Sequence, residues 1–130
     1  MLKIDIVTPT RKLVDGAPAD SVKLPGAKGE LQVLDGHTDL LTLLSTGPLV
    51  FVKDGKERKF SVSYGFAEIR NNKVLVLADT VEESKDIDKA RAQAAQKRAE
   101  QALMGTLSES DFKKQQLKLE RALVRQHISL

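Results

Sequence analysis

The hydrophobic pattern of this chain changes its period once, near residue 84, and that change limits the fold more than any other feature. Before it, apolar and polar residues alternate, as they do in strands half-buried against a core. In "LKIDIVT" the apolar set is Leu2, Ile4 and Ile6. "DSVKLPG" and "GELQVLDG" read as short strands closed by turn residues. Asp54-Gly55 lies between Leu49–Lys53 and Lys56–Ser63, and Asn71-Asn72 divides "FAEIRNNKVLVLAD". Both pairs tolerate the positive φ of a type I′ hairpin turn. "HTDLLTLLS" fits a buried strand or a helical turn, and period alone does not choose between them. Many short strands with closely spaced turns predict a β-sandwich or barrel.

After "TVEESKDID" the period is helical. Ala92, Ala95, Ala99 and Ala102 recur at i, i+3, i+7 and i+10 within the stretch Ile87–Leu103. Asp86 or Asp88 supplies the cap, and Gly105 the stop. Ser108, with Asp111 three residues on, opens a second helix that runs to about His127. Its expected packing face carries Phe112, Leu119 and Leu123. A short connection between two helices implies an antiparallel hairpin. Alanine forms helix readily but buries little apolar area, so this hairpin should hold its shape well and its docking site weakly.

Composition removes several function classes. The chain has 130 residues, enough for one compact domain or a small domain with an appendage. It has no Cys, which excludes disulfides and thiolate zinc sites. No apolar run approaches the roughly 20 residues that span a bilayer. "MLKIDIVTPT" lacks the pattern of a secretion signal, so a cytosolic setting is expected, with membrane association only through partners. The net charge of +3 is uneven. Residues 1–84 carry 11 Lys/Arg against 12 Asp/Glu, and residues 85–130 carry 10 against 6. A basic helical tail suits phosphates, nucleic acid or an acidic protein surface.

Among candidate sites, His37 between Asp35 and Asp39 has the ingredients of a general base. No nucleophile motif accompanies it, and a loop histidine at a protein interface is the better reading. "LPGAKGE" lacks the pattern of a phosphate-binding glycine loop and reads as a turn. Arg91 and Arg98 share one face of the first helix, and Arg121 and Arg125 share one face of the second. An antiparallel hairpin can bring the four together. Guanidiniums so placed repel one another unless an anion such as phosphate joins them. The plainer alternative pairs each with a nearby acid such as Asp88 or Glu120.

The segments "GELQVLDGHTDLLTLLSTGPL", "VSYGFAEIRNNKVLVLADTVEES" and "IDKARA" stand in the order found in one family. Across nearly its whole length the chain resembles the ε subunits of bacterial-type rotary ATP synthases, whose mitochondrial counterpart is called δ. The resemblance implies a sandwich of about ten strands over residues 1–84 and a regulatory helical hairpin over residues 85–130. It implies a non-catalytic central-stalk subunit, peripheral on the cytoplasmic face of a bacterial inner membrane or the equivalent plastid face. The sandwich would bind γ and the c-ring. The hairpin would fold against the sandwich or extend along γ toward the catalytic α/β hexamer, where it impedes ATP hydrolysis. Some relatives bind ATP as a regulatory ligand, with no cofactor required, through a motif that stands here as Ile87-Asp88-Lys89-Ala90-Arg91-Ala92. The resemblance carries Glu82, Ile87, Asp88, Arg91, Ala92, Arg98, Arg121 and Arg125 over as nucleotide-binding residues. Glu30 and His37 would face the rotor, with Asp39 beside them. This chain departs from the family at Gln32, Asp35 and Asp39, where relatives favour Gly or Pro. The competing reading is a nucleic-acid-binding β-domain with a basic tail, for which one Tyr and four Phe offer few bases a stacking surface.

Overall fold

The computed structural model describes residues 1–105 and 107–129. Leu130, the last residue of the expected hairpin domain, lies outside them. Eight strands come first: β1 (Leu2–Val7), β2 (Lys12–Ala19), β3 (Ser21–Gly26), β4 (Gly29–Leu34), β5 (Leu40–Leu44), β6 (Gly47–Lys53), β7 (Lys56–Arg70) and β8 (Lys73–Glu83). A 3-10 turn at Ser84–Asp86 leads into helices α1 (Lys89–Leu103) and α2 (Glu109–Ile128).

The strands form a two-layer sandwich because β7 and β8 are long enough to serve both layers. The first half of β7 pairs with β6 and with the end of β8, while its second half pairs with β5 and the start of β8. One layer thus holds β4, β3 and β6 with the first half of β7 and the end of β8. The other holds β2, β1, the start of β8, the second half of β7, and β5. The eight strands give ten strand segments when β7 and β8 are counted in each layer, which reconciles them with the expected ten. β1 lies parallel to β8, from Lys3 opposite Lys73 to Val7 opposite Leu77.

The crossing in β7 falls at Tyr64, whose φ of 52° leaves it out of the ladder between Ser63 and Gly65. The register is the same on both sides, so the left-handed residue interrupts the ladder without inserting an extra residue. Gly65 follows because a Cβ there would collide with the Leu77 carbonyl oxygen on β8. Both predicted hairpin turns are present, with positive φ at Asp54 (52°), Gly55 (75°), Asn71 (51°) and Asn72 (59°).

Leu2, Ile4, Ile6, Leu24, Phe60 and Val76 are among the fully buried side chains between the layers. Phe51 and Phe60 stack with centroids 5.8 Å apart. The Arg58 guanidinium covers both rings at 5.2 and 5.4 Å. It also donates twice to Glu83, at 3.0 and 2.8 Å. This pair closes the core where β8 gives way to the helices. Arg58 and Glu83 share the core-facing parity of Phe60. Ser61 and Ser63 point the opposite way, yet they too are buried, because α2 packs over β7 and β6.

Two expectations are corrected. "HTDLLTLLS" contains a strand, β5, but not a buried one, since Leu41 and Leu43 are 67% and 68% exposed. On α2 the buried residues are Ala122 and Ile128, whereas Phe112 and Leu123 are 45% and 46% exposed. Leu119, the third residue of the expected face, is half-buried. The alanine face of α1 accepts only small side chains at close approach, so α2 presents Ala122 to it, and Phe112 and Leu123 are left facing water.

Candidate functional site

Both helices begin on side-chain caps. Asp88 Oδ1 accepts the Arg91 N–H at 3.2 Å, and Ser108 Oγ accepts the Asp111 N–H at 3.2 Å. The choice between Asp86 and Asp88 thus falls to Asp88, and the Ser108 cap stands as expected. The hairpin is further tied by Gln126 Nε2, which donates to Gln96 Oε1 at 2.6 Å.

Small residues along the seam leave a groove between the helices. It has a volume of about 440 Å³ and is lined by Ala95, Arg98, Ala99 and Ala102 of α1 and by Gln115, Lys118, Arg121, Ala122 and Arg125 of α2. Four cationic side chains line it and no carboxylate does. The Nε atoms of Arg121 and Arg125 are buried with no hydrogen-bond acceptor. A buried donor left without a partner carries its full desolvation cost, and an anion in the groove would relieve it.

Arg125 is also the link to the sandwich. Its Nε lies 2.8 Å from Glu82 Oε1 on β8, with the two side chains 17% and 30% exposed. The N–H is not aimed at that oxygen, so the pair is coulombic and the Nε proton stays unsatisfied.

The predicted nucleotide residues therefore divide. Arg98, Arg121 and Arg125 meet in the groove, with Glu82 beside Arg125. The fourth arginine, Arg91, is exposed and does not line it. Asp88 uses a carboxylate oxygen as the helix cap, Ile87 is half-buried, and Ala92 is 0% exposed beneath the seam. Neither Asp88 nor Glu120 pairs with the groove arginines; Glu82 takes that role. Lys118 and Gln115 were missed by the sequence reading. Their signal was present, since Gln115, Lys118, Ala122 and Arg125 repeat at i, i+3, i+7 and i+10.

The residues expected to face the rotor stand at two ends of one strand. Glu30 is the second residue of β4, opposite Pro25 and next to the β3–β4 turn. His37 and Asp39 follow the other end of β4. That loop is pinned where the Gly36 N–H donates to Asn72 Oδ1 at 2.8 Å. His37 Nδ1 lies 2.7 Å from the Thr38 carbonyl oxygen, not on a carboxylate. Asp39 is exposed at the entry to β5.

A third surface lies on the outer face of the β5 layer. Leu43 is opposite Phe66, and Phe66 is opposite Leu77. Leu41 is opposite Glu68, and Glu68 is opposite Leu75. The exposed side chains of Leu41, Leu43 and Phe66 make this an open apolar face beside a cavity of about 360 Å³ at Tyr64 and Pro9. Faces of this kind on a folded chain mark contact surfaces.

Comparison with known proteins agrees with both parts of the fold. Residues 1–84 match the family model described as ATP synthase, Delta/Epsilon chain, beta-sandwich domain. Residues 85–129 match the model described as ATP synthase, Delta/Epsilon chain, long alpha-helix domain. The chain belongs to the ATP synthase delta/epsilon family. Its relatives in that family include an ATP synthase epsilon chain of Geobacter metallireducens, 41% identical over 129 residues, covering 98% of this chain and 93% of that one. Another, from Desulforamulus reducens, is 44% identical over 123 residues, covering 95% and 92%. As a delta/epsilon chain, the protein is a subunit of an enzyme complex and has no active site of its own. A chain in the cryo-EM structure of the Euglena gracilis mitochondrial ATP synthase (OSCP/F1/c-ring) has the same fold. Its TM-score is 0.81 at 20% identity, over 92% of this chain and 75% of that one. A chain from the Tetrahymena thermophila enzyme (central stalk/c-ring) gives a TM-score of 0.67 at 13% identity, over 99% and 96%.

Proposed function

We propose that this delta/epsilon chain is a central-stalk subunit that couples γ to the c-ring and restrains ATP hydrolysis through its hairpin. Residues 1–84 hold the rotor partners, and residues 85–130 form the regulatory element. The apolar face of Leu41, Leu43 and Phe66 suits γ, because interface cores are apolar and rich in aromatic residues. Glu30 at one end of β4, and His37 and Asp39 at the other, give two polar contacts to the rotor. This arrangement supports a peripheral place at the membrane face that carries the c-ring, the cytoplasmic face in a bacterium. None of the described helices is long and apolar enough to cross a membrane.

The observation that carries the regulatory reading is the groove lined by Arg98, Lys118, Arg121 and Arg125, with Glu82 beside Arg125 and the buried Arg121 Nε donor left without an acceptor. ATP bound there would require both helices to stay paired. A ligand that binds only the folded form stabilises it by RT ln(1 + [ATP]/Kd), about 2.7 kcal/mol at a hundredfold excess over Kd. The hairpin is held to the sandwich by a thin seam and one ion pair, so an effect of that size can decide its position. When ATP is scarce the hairpin would leave, extend along γ and meet the α/β hexamer.

The test is calorimetric titration of ATP into the full chain, with Arg98→Ala and Arg125→Ala alongside. Saturable binding that both variants weaken by about tenfold or more is expected. No binding at several millimolar ATP would remove the nucleotide from the mechanism.

A further inference from the structure

We infer that Glu68 is the charge-reading residue of the open apolar face on the β5 layer, and that the partner docking there brings a lysine or arginine to meet it. The inference rests on the reading that γ occupies this face. It adds what γ must present there, one cation framed by apolar side chains.

Strand parity lays the face out in bands. Val7, Leu77, Phe66 and Leu43 form one apolar rung across β1, β8, β7 and β5. The next rung is Asp5, Leu75, Glu68 and Leu41. Glu68 thus has a leucine opposite it on each neighbouring strand and Phe66 two residues before it on the same face. A partner that covers Leu41 and Phe66 covers Glu68 as well.

Glu68 is already half-buried, and it pairs with no cation among the described residues. Stripping the remaining water from a carboxylate is costly unless a cation replaces it. Asp5, on the same rung, is already provided for. It accepts the Gly16 N–H at 2.6 Å and lies 3.5 Å from Lys12 Nζ. Two cavities flank Glu68, one of about 320 Å³ toward Leu75 and Asp5 and one of about 440 Å³ toward Leu41 and Asp39. They give a long cationic side chain room to reach its carboxylate.

The chain's own cations stand apart from it. Lys3, Lys73 and Arg70 make up the third rung, and all three are exposed. Arg70 lines both cavities and Lys73 one of them, yet neither forms an ion pair among the described residues. Arg70, two residues along β7 on the same face, is the internal rival for Glu68, and the test has to separate the two.

The experiment measures binding of the full chain to an immobilised assembly of the α/β hexamer with γ that lacks this chain, by surface plasmon resonance. The variants are Glu68→Gln, Leu43→Glu, Arg70→Gln and the double variant of Glu68→Gln with Arg70→Gln. Expected is a loss of about tenfold or more in Glu68→Gln, by the same factor in the Arg70→Gln background, with the melting temperature unchanged. Leu43→Glu should abolish binding. Parental or tighter binding by Glu68→Gln, with Leu43→Glu still inactive, would overturn this inference and leave the γ face standing. Parental binding by both would overturn the two together, and a loss in Glu68→Gln alone would detach Glu68 from this face and overturn the inference. So would a loss that vanishes in the Arg70→Gln background, which makes Arg70 the partner, or one matched by a fall in melting temperature, which makes the role structural.

Discussion

Arg125 of α2 and Glu82 of β8, 2.8 Å apart, form the one ion pair that joins hairpin to sandwich among the described residues. Glu82→Gln should therefore loosen the hairpin without unfolding the sandwich, at a cost of about 1 kcal/mol for a partly exposed pair. Amide exchange over residues 109–128 should quicken roughly fivefold, with β7 and β8 unchanged. Unaltered exchange in α2 would show that the pair contributes nothing to docking.

Ile128, buried at the end of α2, is the largest apolar group the hairpin inserts on its own account. Ile128→Ala should release the last turn of α2 at a cost of about 2 kcal/mol. The melting temperature of the strands should stay within about 2 °C of the parent. Separate readouts, fluorescence from a label on α2 and far-UV dichroism of the sheet, distinguish the two.

The Arg58–Glu83 pair makes stability depend on pH. The two hydrogen bonds from Arg58 hold the Glu83 carboxyl below the ordinary carboxylate range, and the same contact raises Arg58. A folded pKa below the unfolded one contributes stability above the unfolded value of about 4.3 and loses it as pH falls through the folded value. Glu83→Gln should cost about 1–2 kcal/mol at pH 7, reduced from a fully buried pair because the Arg58 side chain is 41% exposed. The gap to the parent should narrow steadily below about pH 4. Urea denaturation at pH 7 and pH 3.5 measures it, and a constant gap would contradict the assignment.

Gly65→Ala should be far worse than a typical surface change, because the new methyl group meets the Leu77 carbonyl oxygen and the β8 backbone cannot yield without breaking its ladder. A loss of about 3 kcal/mol or more is expected, near 10 °C in melting temperature. Scanning calorimetry reads this directly.

Leu41→Glu and Leu43→Glu should leave the isolated chain as stable as the parent to within about 0.5 kcal/mol, since both side chains already face water. Both should abolish co-purification with γ if the proposed docking face is right. Full recovery of the complex would move the γ contact elsewhere.

What could be read in advance follows the range of the forces involved. Asp54-Gly55 and Asn71-Asn72 announced their turns because turn chemistry is set by the pair itself. Asp88 and Ser108 announced the helices for the same reason. β2 was passed over because Gly16 and Pro18 interrupt its alternation, and its pairing with β1 shifts register between Ile4 and Val7. The outward face of α2 was misjudged because hydrophobicity alone favours Phe112 and Leu123, whereas the inward face is chosen by the alanine surface of α1. Three of the four expected arginines converge because Arg121 and Arg125, four apart, keep one face of α2, and the hairpin sets Arg98 of α1 against it. Arg91 does not, since its position depends on how far the α2 partner extends along α1, a distance no local pattern encodes.

The two long strands give the sandwich a mechanical character. In a sandwich whose sheets touch only through side chains, a sideways load is resisted by apolar contact, and the layers can slide. Here β7 and β8 run unbroken from one sheet into the other, locked across the bend at Tyr64. Shear applied at Leu41 and Leu43 crosses the β5–β7 ladder and then runs along the β7 backbone to the seat of α2. The block behaves like a laminate whose plies share fibres, stiff against twist in either sense.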